Sequence, residues 1–285
     1  MKIVLALCAL VAVALADSGT YEASYYPTEP VTIDTNSGLR VVNGQNARRN
    51  QFPYQISLQR RGLVRFSHIC GGSIIGKRHI LTAAHCVSGT APSNLQVVAG
   101  ILLLNDANVA GQQTRSIDQI IIHELYPGGN QVSANDVAII LLSRPLSYSI
   151  NVQPIAIPRN HHHAQGDSLL SGWGLTRSGG SSPNNLQYVD VPIVNSVECG
   201  DILSSYIRNS PFSVELNICS GIRNGGESAC NGDSGGPLAQ HGKVVGIVSW
   251  GLVPCGNLNA PSVYAKVAAY DKWIERKTNG EVRAQ

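Results

Sequence analysis

The sequence predicts an all-β protein, either a barrel or a sandwich, with one helix near its C-terminal end. Apolar runs of strand length recur along the chain with turn residues between them. They lie at 54–58, 72–75, 80–84, 95–99, 117–122, 137–142, 168–173, 186–192, 237–239, 244–250 and 262–267. The 285 residues include 29 glycines and 14 prolines and are only 14% charged, which suits a turn-rich extracellular protein. Helical spacing appears only near the end, where Val267, Tyr270 and Ile274 share one face and Asp271 is expected outside it.

The N-terminal residues 1–16 have the pattern of a secretory signal peptide. Lys2 precedes an uninterrupted apolar run at 3–16, which ends in small residues and is short for a membrane span. No later stretch approaches 18 uninterrupted apolar residues, and the net charge of +3 is small and scattered. We therefore expect a secreted protein with neither a membrane nor a nucleic acid as partner.

The cysteines predict disulfides rather than a metal site. Of the seven, Cys8 lies in the predicted leader, and an even number remains. Six cysteines in a secreted chain allow 15 pairings, and their spacing does not choose among them. No Cys-x-x-Cys pair is present, which argues against zinc.

The sequence CNGDSGGP at 230–237 is the strongest candidate for chemistry. A serine attacks a carbonyl only with a base beside it and hydrogen-bond donors aimed at the developing oxyanion. The glycines around Ser234 permit a turn that points the N–H groups of Gly232 and Ser234 at one spot. The same residues are also ordinary turn chemistry. Two upstream stretches supply the missing groups: LTAAHC places His85, a residue type able to act as a base near neutral pH, and NDVAIILL places Asp136 at the head of an apolar run.

The stretches around His85, Asp136 and Ser234, in this order, resemble the trypsin/chymotrypsin-like serine proteases. The likeness spans residue 41 to about 278 and is nearest in appearance to secreted chymotrypsin-like digestive proteases of arthropods. It implies a protease domain at 41–285, with two six-stranded antiparallel β-barrels at about 41–150 and 155–266 and then the helix. It also implies three disulfides, which are Cys70–Cys86, Cys199–Cys219 and Cys230–Cys255.

The resemblance assigns a role to each residue of the three motifs. Ser234 is the nucleophile that forms an acyl-enzyme, and His85 takes its proton and returns it to the leaving amine. Asp136 orients the imidazole, and the N–H groups of Gly232 and Ser234 bind the oxyanion. Taken singly, the three residues also fit a turn serine, a core histidine and an aspartate that begins a strand.

Residues 17–40 differ in character from the rest of the chain. They carry four acidic residues and end at Arg40, and the next four residues read VVNG. The resemblance implies a propeptide that a trypsin-like protease removes by cutting after Arg40. The new α-amino group of Val41 would then pair with Asp233 and complete the oxyanion turn. The alternative for this segment is a disordered N-terminal tail.

The predicted specificity pocket is uncharged. In the family, the residue six positions before the nucleophile lies at the pocket base, and here it is Ser228. The walls come from Ser249, Trp250 and Gly251 and from Ser262, which narrows the slot where glycine is more usual. An acid at the base would attract Lys or Arg, whereas this pocket favours Phe, Tyr or Leu. An elastase-like preference is the alternative.

No metal or other cofactor is expected. The stretch His161-His162-His163 fits an exposed loop better than a metal tract, and residues 100–106 lack the first glutamate of the family's calcium loop. The sequence thus predicts a monomeric digestive endopeptidase, acting on proteins or peptides and made as a zymogen. The alternatives are a regulatory protease of immunity or clotting and a protease-shaped binding protein that has lost catalysis.

Overall fold

Two β-barrels, each closed by six antiparallel strands, form the framework. The computed structural model describes residues 44–106, 109–129, 132–176, 178–221, 228–257 and 260–285. The predicted signal peptide, the predicted propeptide, Arg40 and Val41 lie outside these residues. The first barrel has the ring order β2-β3-β4-β7-β6-β5. Its strands are β2 Gln55–Arg61, β3 Phe66–Ile74, β4 His79–Thr82, β5 Leu95–Ala99, β6 Gln113–Ile122 and β7 Ala138–Leu142.

The second barrel has the ring order β8-β9-β10-β13-β12-β11, closed by pairing of β8 with β9. A short strand, β1 Gln45–Asn46, adds to the outside of β9. The six barrel strands are β8 Asp167–Gly172, β9 Gln187–Val194, β10 Asn217–Ser220, β11 Pro237–Gln240, β12 Lys243–Gly251 and β13 Ser262–Lys266. The predicted fold of two six-stranded antiparallel barrels is therefore confirmed.

The first barrel is filled mainly by aliphatic side chains, and the second also buries a phenol. Strands of the first barrel turn Ile56, Leu58, Ile80 and Ile140 inward, all fully buried. This aliphatic filling is what alternating strand residues supply to a small closed barrel. The second barrel buries Tyr264, whose hydroxyl shares a 2.7 Å hydrogen bond with that of Ser220. A buried phenol requires such a partner, so polar residues enter this core.

Two α-helices accompany the barrels. The predicted C-terminal helix is α2, Asp271–Lys277, preceded by a 3₁₀ turn at Val267–Tyr270. It packs Trp273 and Ile274 into the same hydrophobic cluster as the first barrel. Asp271 was expected outside, but it is buried, because its carboxylate accepts hydrogen bonds from the N–H groups of Asn160 and Lys272. No helix within the described ranges is both long enough and apolar enough to cross a membrane.

The helix α1, Ser196–Tyr206, was not predicted. Its start is encoded locally, because the Asn195 side chain accepts from the N–H groups of Val197 and Glu198. Only Cys199 and Leu203 are buried along it. An apolar face of two residues gives too weak a helical period to be read from the sequence.

The three predicted disulfides are present and tie loops to barrel strands. Cys70 of β3 bonds Cys86, next to His85. Cys199 of α1 bonds Cys219 of β10, and Cys230 bonds Cys255. Each closes a short loop of 16 to 25 residues, worth about 3 kcal/mol through the reduced entropy of the unfolded chain.

The candidate active site lies where β3 of the first barrel meets the turn before β11. The Gly71 N–H donates to the Ser234 carbonyl at 2.8 Å. A Cβ atom at Gly71 would come within 2.8 Å of the Gly236 Cα atom, so only glycine permits this approach. A second contact between the barrels joins the buried Ser171 hydroxyl to the Gln55 amide oxygen at 2.8 Å.

Candidate active site

His85 and Asp136 form a closed hydrogen-bonded pair. Strand β4 pairs with β7 so that Thr82 lies opposite Ala138. His85 follows the end of β4 and Asp136 precedes the start of β7, so the pairing of the strands brings them together. The His85 Nδ1 atom lies 2.7 Å from Asp136 Oδ2, and the His85 backbone N–H donates to Oδ1 at 2.9 Å. Two contacts fix both the position and the orientation of the imidazole.

The Asp136 carboxylate receives a third hydrogen bond from the second barrel. Asp136 is only 4% exposed, so its negative charge must be stabilised by partners within the protein. The hydroxyl of Ser249, in β12, donates to Oδ2 at 2.5 Å. Ser249 was predicted only as a pocket wall, and this contact spans 113 residues of sequence. A link at this separation becomes visible only once the two barrels are packed.

The turn that carries Ser234 is held by backbone hydrogen bonds. The Asp233 N–H donates to Cys230 O and the Gly236 N–H to Asp233 O, while Gly235 donates to Val248 of β12. Gly232 and Gly235 have positive φ angles of 100° and 75°. Within the described hydrogen bonds, the N–H groups of Gly232 and Ser234 donate to no protein acceptor. The two donors predicted for an oxyanion site thus have no acceptor among the described residues.

The structure places the Ser234 backbone beside the strand that leads to His85. A Cβ atom at Gly235 would lie 2.2 Å from Thr82 Oγ1 and 3.1 Å from the Ala83 nitrogen. Among the described contacts, however, the Ser234 hydroxyl makes no hydrogen bond to the His85 ring, whose Nε2 atom lies 3.7 Å from Cys86 Sγ. The histidine and the acid are closed into a pair, and the serine is adjacent but not yet engaged. Such bonds often tighten only when substrate is bound.

Asp233 is a fully buried carboxylate next to Ser234. Its oxygens accept from the N–H groups of Gly174 and Cys230 at 2.8 and 3.0 Å. Burial raises the pKa of Asp233 to about 6, against the lowering effect of these two hydrogen bonds. In the part of the chain that the structure describes, no cation pairs with it. The group predicted to meet the Val41 amine is therefore a buried acid that has hydrogen-bond donors but no countercharge among the described residues.

A histidine that the sequence reasoning missed supports the turn from the first barrel. His68 Nε2 lies 3.0 Å from Gly232 O, and its Nδ1 lies 2.9 Å from the Ser57 hydroxyl. A carbonyl only accepts, so Nε2 carries the hydrogen and Ser57 donates to Nδ1. Burial lowers the pKa of His68, which favours this neutral ring. No signal in the sequence marks His68, because its partner Gly232 is 164 residues away.

The predicted pocket residues come together around β12 and β13. Ser228 is nearly buried, and its hydroxyl accepts from the Gly256 N–H at 2.7 Å. Ser262 lies opposite Gly251 in the strand register, and its hydroxyl accepts from the Ala229 N–H at 3.1 Å. A Cβ atom at Gly251 would find its nearest neighbour at 3.9 Å, so the wall there is open. Trp250, the remaining wall residue, is half-buried beside it.

The residues that could hold a metal are otherwise engaged. One described group, Cys70, His85 and Cys86, has its donor atoms within 4.8 Å of one another. Both cysteines form a disulfide, so neither offers the thiolate that a metal requires. His161 and His163 are exposed and His162 is half-buried, as expected for a surface loop.

Comparison with known proteins identifies the family. The trypsin family model matches residues 41–274. The chain belongs to the trypsin family of serine proteases. Its trypsin-family relatives include trypsin-1 of Astacus astacus, 39% identical with 82% of this chain and 98% of the relative covered. Lectizyme of Glossina austeni is 37% identical with 83% and 85% covered, and trypsin delta of Drosophila erecta is 40% identical with 83% and 88% covered. The predicted resemblance is confirmed, and this trypsin-family chain is a serine endopeptidase that acts on protein or peptide substrates.

Proposed function

We propose that the protein is a secreted zymogen whose activated form cleaves peptide bonds through a Ser234 acyl-enzyme. His85 is the base, Asp136 orients it, and the N–H groups of Gly232 and Ser234 bind the oxyanion. The observation that carries this proposal is the closed His85–Asp136 pair beside a turn with two free N–H donors. Preorganised donors of this kind lower the barrier most where charge develops in the transition state.

The state of Asp233 supports activation by cleavage after Arg40. A buried carboxylate whose pKa is raised to about 6 favours any structure that brings it a positive charge. The α-amino group of Val41 would be such a charge, and it forms only on cleavage. Pairing would hold the turn from Gly232 to Ser234 in its working shape. The Arg40 side chain makes a trypsin-like protease the activator.

The pocket geometry supports a chymotrypsin-like preference for Phe, Tyr or Leu. The five pocket residues carry no charge, and the hydroxyls of Ser228 and Ser262 already accept hydrogen bonds from Gly256 and Ala229. Their lone pairs are thereby partly used, and a Lys or Arg side chain would enter without a carboxylate to meet it. The relatives named trypsins do not transfer a basic preference, since the acid expected for it is a serine here. Ser262 narrows the slot and makes smaller residues the second choice.

Secretion and a digestive role as a monomer complete the proposal. The apolar run at 3–16 fits a signal peptide, and three disulfides persist best in an oxidising compartment. An endopeptidase with an uncharged pocket discriminates weakly among apolar residues, at about 1–3 kcal/mol per methylene. Broad cleavage of this kind suits digestion more than the single-site cuts of a regulatory cascade.

A cleavage-site profile tests the proposal. The full chain is treated with trypsin, the trypsin is inhibited, and the products from a mixed peptide library are sequenced by mass spectrometry. We expect cuts after Phe, Tyr and Leu, with Arg40→Gln giving no activity because it cannot be activated. The matched variant Ser228→Asp should move the preference toward Arg and Lys. Cuts by the wild-type enzyme mainly after Arg would overturn the pocket assignment, and cuts mainly after Ala or Val would select the elastase-like alternative.

A further inference from the structure

The hairpin between β2 and β3 is an unusually basic surface beside the active site. Its residues 60–65 read RRGLVR, and no acidic residue occurs between 55 and 74. Arg60, Arg61 and Arg65 are exposed, and within the described chain none of them forms an ion pair with a carboxylate. We call residues 60–65 the basic hairpin.

The basic hairpin is held in shape rather than loose. The Gly62 N–H donates to Arg65 O at 2.8 Å, which closes the turn. The Arg61 guanidinium lies over the Phe66 ring at 5.2 Å, which fixes its stem while its charge stays in solvent. At the tip, Leu63 and Val64 are 107% and 97% exposed. The tip therefore presents two apolar side chains to solvent between Arg61 and Arg65.

Strand β3 follows this hairpin in the chain and contacts the turn that carries Ser234. His68 contacts Gly232 O, and Gly71 donates to Ser234 O, so β3 borders the turn on its first-barrel side. The pocket proposed for the residue before the cut is built on β12 of the second barrel, which contacts the same turn through the hydrogen bond from the Gly235 N–H to Val248 O. The turn is thus bordered by β3 from the first barrel and by β12 from the second. A substrate crossing the cleft therefore passes over β3 with the residues that follow the cut. Arg65 lies three residues before His68, about 10 Å away along an extended strand, a span of about three substrate residues.

We propose that the basic hairpin binds acidic side chains two to four residues after the scissile bond, so that the enzyme prefers acidic segments on the leaving-group side. This rests on the proposed protease function of Ser234. The positive charge of the hairpin favours acidic side chains, and its connection through β3 to the turn that carries Ser234 favours a bound substrate as their source. An anionic membrane is a poorer match, since membrane-binding segments usually carry four to eight basic residues and this hairpin carries three.

The test uses two peptides that are identical up to a scissile Leu. One continues with three acidic residues at the second to fourth positions, and the other continues with three lysines. A Leu anilide, which has no residues after the scissile bond, reports the chemistry and the pocket alone. For activated wild type we expect kcat/KM on the acidic peptide to exceed that on the lysine peptide by roughly three- to ten-fold at low salt, mainly through KM. The difference should shrink in 0.5 M salt, because exposed charges are then screened.

Paired variants separate the hairpin from the rest of the surface. Arg61→Glu/Arg65→Glu should invert the ratio of acidic to lysine peptide relative to the anilide rate. Arg48→Glu/Arg49→Glu makes the same change in net charge at two exposed arginines outside the hairpin, and should keep the wild-type ratio. A wild-type ratio near one, or a ratio that the hairpin variant leaves unchanged, overturns the proposal.

A binding measurement tests the hairpin independently of catalysis. In the trypsin-treated Ser234→Ala protein, a fluorescent acidic peptide should bind more tightly than its lysine counterpart, and the hairpin variant should remove the difference. Loss of anilide hydrolysis in wild type would refute the proposed function, whereas equal binding of both peptides would refute the hairpin. Hairpin-dependent binding to phosphatidylserine vesicles without any peptide preference would also overturn it, because the surface would then be a membrane contact.

Discussion

The two barrels contribute to the active site in different states of completion. The first barrel presents His85 and Asp136 as a finished pair, joined at 2.7 and 2.9 Å and buried at the acid. The second barrel presents Ser234 on a turn, and the Ser234 hydroxyl makes no hydrogen bond to His85 among the described contacts. The neighbouring residue, Asp233, is a buried acid without a described countercharge. Under the proposed activation, the part of the site still to be assembled would therefore lie in the second barrel.

The difference has a simple structural cause. His85 and Asp136 follow and precede two strands that pair with each other, so barrel closure alone brings them together. Ser234 lies in a turn between Cys230 and β11, shaped by glycines and by a carboxylate rather than by a strand ladder. A strand register is fixed by a regular ladder of hydrogen bonds, whereas this turn is held by separate contacts to β3 and β12 and by the Asp233 carboxylate.

The largest effect is expected from removing Ser234, the nucleophile that the second barrel contributes to the proposed site. Ser234→Ala should lower kcat/KM of the activated enzyme by about four to six orders of magnitude, a size typical of the family's triad rather than one derived from this chain. Activity is measured on an apolar peptide amide after trypsin activation. Folding should be unaffected, because the Ser234 backbone carbonyl and its bond to Gly71 remain. Wild-type rates in this variant would refute the nucleophile assignment.

The fold and the candidate catalytic residues could be predicted from the sequence, but the contacts between the barrels could not. Alternating and apolar runs located nearly every barrel strand, because strand periodicity is local. Strand β10 was missed, since Asn217 and Ser220 are polar, and each is buried with a hydrogen bond to Tyr264 that the sequence does not reveal. Helix α1 was missed because its buried face has only two residues.

The same limit applies inside the site. His85, Asp136 and Ser234 each lie in a distinctive local motif, so the sequence alone points to them as candidate catalytic residues. The bonds from Ser249 to Asp136 and from His68 to Gly232 join residues 113 and 164 positions apart. Such pairs have no local pattern, and they depend on how one barrel packs against the other.

A second prediction concerns the pH dependence of stability in the uncleaved chain. Asp233 has a pKa raised by burial to about 6, above the ordinary aspartate value of about 4. Between these values the folded state keeps a proton that the unfolded state has released, so stability falls as pH rises from about 4 to about 6. A shift of two pKa units corresponds to about 3 kcal/mol. Urea unfolding at pH 4 and pH 7 measures this loss.

Asp233→Asn is the control for that prediction. The free energy of unfolding of the variant differs from that of wild type by an amount that does not depend on pH, since an amide oxygen can accept from only one of the Gly174 and Cys230 donors. The variant should, however, lack the loss of stability between pH 4 and 6. After cleavage, pairing with the Val41 amine should lower the Asp233 pKa and reverse the sign of the wild-type slope. An unchanged slope in the cleaved protein would contradict the proposed ion pair.

A smaller effect should come from the support that the first barrel gives to the turn. Ser57→Ala removes the hydroxyl that donates to His68 Nδ1. Without this donor, the tautomer that carries its hydrogen on Nε2 and donates to Gly232 O is no longer favoured. We expect a roughly three- to ten-fold fall in kcat with little change in KM, because an oxyanion donor is misplaced rather than lost. Ser73→Ala, at another buried serine of this barrel, should have no such effect. Equal effects in both variants would indicate general destabilisation instead.

The smallest expected effect tests whether the position of the His85–Asp136 pair depends on helix α2. Glu124, in the loop after β6, accepts from Trp273 Nε1 at 2.8 Å and pairs with Lys277. The Lys277 hydrogen bond is the main reason that the pKa of Glu124 falls to about 2, yet its side chain remains 55% exposed. Glu124→Gln keeps an acceptor for Trp273 and loses only an exposed charge pair, so thermal unfolding should show a loss of less than about 1 kcal/mol at pH 7. Because a lowered pKa stabilises only the ionised state, this loss should disappear as pH falls toward 2, and activity at pH 7 should be unchanged. A large fall in activity would instead show that the His85–Asp136 pair is held in place by α2 and not by the strand pairing of its own barrel.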